Sequence, residues 1–211
     1  MNDIVIIGAG GLGREVQWLI ERINEYENKW NIVGYVDDGI EVGTVIDGYP
    51  VLGGVNDLFK CEKKRNVVCA IGKAAIREKI IHQLSVNHNL VYPNLIDPCA
   101  IMSKRVKMGE GNIICPGAII SVDLEMGNFN LIDWNCTVGH DVVMDSYITL
   151  FPNVNVSGSV EIGKCVELGT GTQIIQGKKI AEGVITGAGT VVVKDIAESG
   201  TYIGIPACKM K

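Results

Sequence analysis

Residues 155–175 read NVSGSVEIGKCVELGTGTQII, and every sixth position, Val156, Ile162, Leu168 and Ile174, is aliphatic. The residue after each of the first three is Ser or Gly, which is small enough to fit where a chain turns a corner. A period of six with inward aliphatic side chains and small corner residues is typical of a β-solenoid, in which each hexad contributes one short strand and a turn.

The same period extends far beyond this stretch. Every sixth residue from Ile96 to Ile180 is aliphatic or Met, with no insertion between the first and the last. We therefore expect stacked coils without a large external loop. The anchors are Ile96, Met102, Met108, Ile114, Ile120, Met126, Ile132, Val138, Met144, Leu150, Val156, Ile162, Leu168, Ile174 and Ile180.

Composition limits the class of protein. The chain has 211 residues, of which 47% are hydrophobic, yet no apolar run approaches the roughly 18 residues that span a bilayer. The N-terminus lacks the basic region and cleavage site of a signal peptide, so we expect a cytoplasmic protein. Seven cysteines without a CxxC pair indicate reduced thiols and no metal site, and a net charge of -5 argues against nucleic acid as a partner.

Residues 1 to about 90 follow a different pattern. The segment DIVIIGAGGLG (3–13) is an apolar strand that leads into glycines, and REVQWLIERINEY (14–26) has apolar residues at helical spacing. NIVGYVDD (31–38) and VVCAIG (67–72) are further strands, and AIREKIIHQLSV (75–86) is an amphipathic helix. Repeated strand–helix units predict a small parallel sheet.

The first turn of this region matches a nucleotide-binding pattern. Gly8, Gly10 and Gly13 form GxGxxG, and the acidic pair Asp37 and Asp38 follows at the spacing of a dinucleotide site. Taken alone, this motif predicts NAD. About ninety residues, however, make only one mononucleotide-binding half, so a mononucleotide-linked ligand fits better.

The order of a short Gly-rich α/β region followed by an unbroken hexapeptide solenoid, with ITGAGTVVVKD (185–195) and YIGIPACKM (202–210) near its end, resembles the bacterial nucleotide-sugar acetyltransferases of the left-handed β-helix hexapeptide family. The resemblance implies an α/β half-Rossmann domain over residues 1–92 that binds a nucleotide sugar. It implies a left-handed parallel β-helix over residues 93–211, with three hexads in each coil. It further implies acetyl-CoA as cosubstrate and a homotrimer with active sites between subunits.

The resemblance also implies where the nucleotide sugar binds. Glycines let backbone N–H groups approach a diphosphate at a helix N-terminus, and carboxylates accept hydrogen bonds from ribose hydroxyls. The alternative is a sheet whose turn merely requires glycine. Leu12 stands where the family usually has His, which leaves the identity of the sugar open. The residues implied are Gly10, Gly11, Leu12, Gly13, Asp37, Asp38, Gly72 and Lys73.

One histidine of three lies in the hexads. Anchor Val138 points inward and Gly139 makes the corner, so His140 and Asp141 occupy positions that project from the solenoid. The family carries its catalytic His, followed by an acidic residue, at this place. A thioester donor needs little more than a base for the amine proton, so we expect His140 to be that base and Asp141 to orient it. The alternative is a surface histidine on a solenoid face.

The coenzyme is expected in the groove between adjacent subunits near the later coils. There the family pattern implies Thr149, Gly158, Gly169, Thr170 and Gly187, with glycines allowing close approach of the pantetheine arm. Relatives commonly place a second His where this chain has Thr149. Cys136 occupies an inward hexad position, so we expect it in the core and direct transfer without an acetyl-cysteine.

Together these patterns predict acetyl transfer from acetyl-CoA to the amine of a nucleotide-linked amino sugar, of the UDP-4-amino-4,6-dideoxy-sugar type. The alternatives are an O-acetyltransferase acting on sialic acid or another surface-glycan sugar, and a non-catalytic nucleotide-binding solenoid. A solenoid carbonic anhydrase needs three His ligands, and a nicotinamide oxidoreductase needs a second nucleotide-binding half, so the sequence argues against both.

Overall fold

The computed structural model describes residues 1–210, which form two compact units, Met1–Pro98 and a second that begins at Cys99. The domain boundary predicted between residues 92 and 93 stays a prediction. The helices are α1 Gly11–Tyr26, α2 Val55–Phe59 and α3 Ala74–Leu84. The strands of the first unit are β1 Asn2–Ile7, β2 Trp30–Val36, β3 Val45–Ile46, β4 Tyr49–Gly53, β5 Arg65–Cys69, β6 Leu90–Val91 and β7 Leu95–Ile96.

The first six strands form one sheet in the order β3-β4-β2-β1-β5-β6. All neighbours are parallel except β3 and β4, which form a hairpin. From β1 the chain moves outward on one side through β2 and β4, and then returns to β5 on the other side of β1. The strand order therefore reverses between β1 and β5, and ligands of open α/β sheets bind at the carboxyl ends of strands at such a point.

The apolar residues that predict this region form its core. Ile4, Ile6 and Ile7 of β1 are buried, and α1 buries the helical stripe that contains Leu19 and Ile20. Because β1 is buried on both faces, its apolar run is continuous and does not alternate.

The second unit is a solenoid, and each strand of its central coils has two residues. Its strands are β8 Ile101–Met102, β9 Lys107–Met108, β10 Ile113–Ile114, β11 Ile119–Ile120, β12 Glu125–Met126, β13 Leu131–Ile132, β14 Thr137–Val138, β15 Val143–Met144, β16 Thr149–Leu150, β17 Asn155–Val156, β18 Glu161–Ile162, β19 Glu167–Leu168, β20 Gln173–Ile174, β21 Lys179–Ile180, β22 Val184–Thr186, β23 Val191–Val192, β24 Gly200–Ile203 and β25 Cys208–Lys209.

Three hexads make one coil, because each strand pairs in parallel with the strand three hexads further along. Ile114 pairs with Ile132, and Ile132 pairs with Leu150. The strands thus form three faces of a prism. The first face contains β10, β13, β16, β19 and β22; the second contains β8, β11, β14, β17, β20 and β23; the third contains β9, β12, β15, β18 and β21.

The small residue after each anchor is explained in the sequence analysis by the turn of the chain, and the structure gives a different reason. The small residue after each anchor is needed because the next coil packs against it, since a Cβ on Gly139 would lie 2.6 Å from the backbone nitrogen of Gly158. The left-handed backbone conformation falls two positions later, at one residue in each hexad from Gly111 to Gly189. Eight of these residues are not glycine: Asp123, Phe129, Asn135, Asp141, Tyr147, Asn153, Ser159 and Cys165.

No helix within residues 1–210 is long and apolar enough to cross a membrane.

Candidate active site

The glycine-rich turn after β1 contains glycines of two kinds. A Cβ on Gly8 would lie 2.9 Å from the carbonyl oxygen of Ala70, and a Cβ on Gly13 would overlap the carbonyl oxygen of Gly8. The fold itself therefore requires these two glycines, as the alternative interpretation of the motif expects. Gly10 and Gly11 face open space and are exposed. No contact within their own unit explains them, so they leave room for a ligand to approach the backbone.

The acidic pair is tied to backbone groups at the carboxyl end of β2. The carboxylate of Asp37 accepts hydrogen bonds from the N–H groups of Ala9, at 2.9 Å, and Gly39, at 2.8 Å. Asp38 accepts one from the N–H of Val55 at 2.8 Å and so caps α2. A carboxylate has about four acceptor positions, so both groups can accept a further hydrogen bond. Asp37 is the better placed of the two to accept a ribose hydroxyl because it borders the glycine-rich turn.

The turn after β5 brings the remaining predicted residues beside the first turn. Gly72 and Lys73 lie between β5 and α3, and Lys73 is the exposed N-cap residue of the helix. Leu12 is half-buried, and its Cδ2 atom lies 3.9 Å from where a Cβ on Gly72 would be. The structure thus brings the turns after β1 and β5 together at the point where the strand order reverses.

Both long helices begin at this edge without a side-chain cap. Neither α1 nor α3 has a capping side-chain hydrogen bond or an acidic residue in its first turn. The short helix α2 differs, since Asp38 and Asp57 accept hydrogen bonds from the N–H groups of Val55 and Gly54. A helix N-terminus carries positive partial charge and free N–H donors, which favour an anion. Two such ends and Lys73 therefore converge on one edge of the sheet.

His140 and Asp141 project from the corner between the second and third faces of the solenoid. Nδ1 of His140 lies 2.7 Å from Oδ2 of Asp141, and the two side chains are 49% and 60% exposed. Because an ionised carboxylate only accepts hydrogen bonds, Nδ1 is the donor in this pair. In the neutral imidazole Nε2 is then the acceptor, which is the form that a general base requires.

Gly158 lies under this imidazole in the next coil. A Cβ on Gly158 would be 2.5 Å from Nε2 and 2.6 Å from Cε1 of His140. The backbone of the two residues is also linked, since the N–H of Ser159 donates to the carbonyl of His140 at 2.8 Å. The lack of a side chain at residue 158 therefore leaves room for the ring in this position. Close approach of a coenzyme is not needed to explain this glycine.

The other predicted coenzyme residues lie on or beside the corner between the first and second faces. The packing of successive coils already requires Gly169, because a Cβ there would lie 2.9 Å from the carbonyl carbon of Gly187. A Cβ on Gly187 would lie 2.8 Å from a methyl group of the exposed Ile203 side chain. Thr170 is exposed, whereas Thr149 is fully buried. Coenzyme contacts by these residues stay a prediction.

Cys136 lies in the core, as predicted. It is fully buried, and its thiol donates to the carbonyl oxygen of Phe151 at 3.1 Å. Burial raises the pKa of this thiol to about 12. Since the nucleophile is the thiolate, Cys136 is unsuited to covalent catalysis near neutral pH.

Buried polar residues that were not predicted from the sequence include Arg77 and Asp133. Arg77 is 2% exposed and donates to the carbonyl oxygens of Ile71 and Gly72. Asp133 is 7% exposed and follows the anchor Ile132, where most hexads have a smaller or apolar residue. Burial raises the pKa of its carboxyl group, and this effect exceeds the opposite effect of the hydrogen bonds from the N–H of Trp134 and the thiol of Cys115, which lower the pKa. Asp also follows the anchors Ile96 and Met144, so the hexad pattern does not single out Asp133.

The comparisons with known proteins cover both units. Residues 3–84 match the family model of the PglD N-terminal domain. The chain is similar to the acetyltransferase domain of PglB from Neisseria gonorrhoeae FA1090 in complex with acetyl coenzyme A, at 29% identity over 100% of both chains and a TM-score of 0.90. It is similar to PerB from Caulobacter crescentus in complex with CoA and GDP-perosamine, at 29% identity over 100% of this chain and 98% of that one and a TM-score of 0.91.

A third solved structure, WeeI from Acinetobacter baumannii AYE, has 28% identity over 100% of both chains and a TM-score of 0.90. No curated protein sequence matches the chain significantly.

The fold and these matches confirm the predicted fold class, an α/β parallel sheet followed by a β-solenoid that is consistent with a left-handed parallel β-helix, and the matched PglB domain is an acetyltransferase. More particularly, the resemblance to the bacterial nucleotide-sugar acetyltransferases of the hexapeptide family is confirmed over the whole chain.

Proposed function

We propose that this chain transfers the acetyl group of acetyl-CoA to the amine of a nucleotide-linked amino sugar, with His140 as the general base. The observation that carries the proposal is the His140–Asp141 pair, whose geometry leaves Nε2 of an exposed imidazole free to accept a proton. His140 is also the only histidine in the hexapeptide region of the sequence.

The chemistry needs one base and an activated acyl donor. The amine nitrogen attacks the thioester carbonyl carbon while Nε2 of His140 takes a proton from it. The carbon–sulfur bond of the resulting intermediate then breaks, and the imidazolium returns the proton to the departing sulfur of coenzyme A. Asp141 stabilises the imidazolium through its contact with Nδ1, and an amide and a free thiol are the products.

The edge at β1 and β5 supplies the binding site for the nucleotide part of the acceptor. The N-termini of α1 and α3, the open backbone at Gly10 and Gly11, and the Lys73 ammonium group suit a diphosphate. Asp37 suits the ribose. The C. crescentus relative was solved with GDP-perosamine, a nucleotide-linked amino sugar, which supports this class of acceptor. The base of the nucleotide is left to experiment, so GDP and UDP sugars are both candidates.

A homotrimer with sites between subunits is part of the proposal. His140 lies at one edge of the second face, and Gly169, Thr170 and Gly187 lie at the opposite edge, on a different corner of the prism. One chain therefore does not bring the candidate base together with these three coenzyme candidates. Docking of a second copy against this face would set the His140 corner of one subunit beside the coenzyme corner of its neighbour.

The second face suits such a contact better than the third. Ile101 and Ile119 project from it, 65% and 45% exposed, and its other outward strand residues are uncharged. The third face instead has ion pairs that favour solvent, Lys107–Glu125 at 2.8 Å and Lys179–Glu161 at 2.9 Å. Burial of charged pairs is costly, whereas burial of isoleucine is favourable.

The test is release of coenzyme A thiol from acetyl-CoA in the presence of GDP- and UDP-linked 4-amino sugars. We expect transfer to at least one amine, and we expect His140→Asn to lower kcat by roughly 10²- to 10⁴-fold. His82→Asn, at an exposed position of α3, is the matched control and should leave kcat unchanged. Transfer to a sialic acid hydroxyl alone would replace the proposed acceptor, and unchanged kcat in His140→Asn would remove His140 as the base.

A further inference from the structure

Arg77 is a buried cation beside the nucleotide-binding edge that the proposed reaction does not use. It belongs to α3 and is 2% exposed. Nη1 of its guanidinium group donates to two carbonyl oxygens of the turn after β5, those of Ile71 and Gly72, the second at 3.1 Å. The side chain therefore reaches back from the helix and holds the turn that contains Gly72 and Lys73.

This turn is one of the two that line the edge where the strand order reverses. The other contains Gly10 and Gly11, and Leu12 of that turn approaches Gly72. Backbone N–H groups bind a phosphate only when the turn holds them towards it. Gly72 has no side chain that could restrict its own backbone, and the hydrogen bonds from Arg77 restrict this turn from outside.

The charge of Arg77 lies at the end of α3 that an isolated helix would not favour for a cation. The N–H of Arg77 makes an early helical hydrogen bond, to the carbonyl of Lys73 at 3.0 Å. Lys73 and Arg77 are thus both near the positive end of the helix dipole, and the first turn of α3 contains no acidic residue. A bound anion at this turn would make the same arrangement favourable.

We propose that Arg77 is a positioning residue for the diphosphate of the nucleotide substrate. It fixes the carbonyl groups of Ile71 and Gly72, so that the backbone of Gly72 and Lys73 keeps the orientation that binds phosphate oxygens, and it adds positive charge behind the turn. This inference rests on the proposed function, because it requires a nucleoside diphosphate at this edge.

Titration calorimetry with GDP, UDP and acetyl-CoA tests the inference. Arg77→Met should weaken binding of whichever nucleoside diphosphate the wild type binds by about tenfold or more, the usual effect of losing charge-assisted hydrogen bonds. Acetyl-CoA affinity should not change. Arg77→Lys, which keeps the charge and loses the planar fork, should give an intermediate loss. Lys79→Met removes a charge from an exposed position of the same helix and should bind as the wild type does.

Each other outcome has a definite meaning. If Arg77→Met binds nucleoside diphosphate normally, or loses nucleoside diphosphate and acetyl-CoA affinity equally, Arg77 is not a positioning residue. If Arg77→Met does not fold, amide hydrogen exchange of the wild type replaces it, because GDP or UDP should then protect the amides of Gly72 and Lys73. Absent protection rejects the inference. A wild type that binds neither GDP nor UDP rejects the proposed nucleotide site itself.

Discussion

The imidazole of His140 lies against the α-carbon of Gly158 in the next coil, so close that a Cβ on Gly158 would be 2.6 Å from Cε1 of the ring. Two roles for Gly158 can therefore be distinguished. The sequence predicts a glycine that admits the coenzyme, which stays a prediction, and the structure shows a glycine that leaves room for the candidate base. A methyl group at this position would push the ring from its place beside Asp141.

Gly158→Ala should therefore behave as a loss of the base. We expect kcat to fall by roughly 10²-fold or more, with little change in KM for acetyl-CoA. Ser157→Ala, at the adjacent exposed position, is the matched control and should retain wild-type kcat. Steady-state kinetics with both substrates measures these parameters. If Gly158→Ala raises only the KM for acetyl-CoA, Gly158 contacts the coenzyme and does not position His140.

The unreactive thiol of Cys136 gives a second prediction. Because burial raises its pKa to about 12, almost no thiolate is present at pH 8 in the folded chain. Alkylation with iodoacetamide, followed by mass spectrometry, should label the exposed Cys99 and Cys208 and spare Cys136. Cys136→Ala should keep kcat within a few-fold of the wild type. Ping-pong kinetics or an acetylated Cys136 would contradict direct transfer.

The buried carboxyl of Asp133 predicts a dependence of stability on pH. Its pKa is raised because burial disfavours the charged form. Above the ordinary pKa of a carboxyl group the folded state then binds more protons than the unfolded state, so Asp133 lowers the free energy of unfolding as pH rises through the raised pKa. Asp133→Asn can keep the acceptor for the N–H of Trp134, bonded at 2.8 Å, but does not ionise.

The Tm of Asp133→Asn relative to the wild type should accordingly be higher at pH 8 than at pH 4. Thermal unfolding at both pH values measures this difference. Asp195→Asn, at an exposed carboxyl, is the control for a general change in charge. A difference that stays constant between the two pH values would mean that the Asp133 carboxyl has the same pKa in the folded and unfolded chain.

Much of the solenoid was predictable because its information is local. Each anchor such as Val138 repeats one inward position, so the period could be read without knowing the path of the chain. The contact between His140 and Gly158 was not predictable in this way, because it depends on which hexads stack. Arg77 gave no signal either, since an arginine on a helix is usually solvated and only the tertiary path of the chain shows that it turns back to Ile71.

The ion pair between Arg22 and Asp97 gives a prediction for stability. Nε and Nη2 of Arg22 donate to the two carboxylate oxygens of Asp97, at 2.6 and 3.2 Å, and Asp97 is 1% exposed. Removing one partner of a fully buried pair costs about 3–5 kcal/mol, and the Arg22 side chain left by this change is 23% exposed. Asp97→Asn should therefore lower the free energy of unfolding by at most about 3 kcal/mol in chemical denaturation. Glu125→Gln, in an exposed pair with Lys107, should have little effect.

The proposed assembly predicts that one face of the prism tolerates charge and another does not. Ile119 on the second face and Val143 on the third are equally exposed, at 45% and 47%, so they form a matched pair of sites. Ile119→Lys should convert a trimer into smaller species in sedimentation at micromolar concentration, because an unpaired ammonium group would be buried in the contact. Val143→Lys should leave the trimer intact. Since the proposed site lies between subunits, Ile119→Lys should also lose acetyl transfer while it still binds the nucleoside diphosphate that the wild type binds. A monomeric wild type, or a trimer broken by Val143→Lys alone, would refute the assignment of the second face.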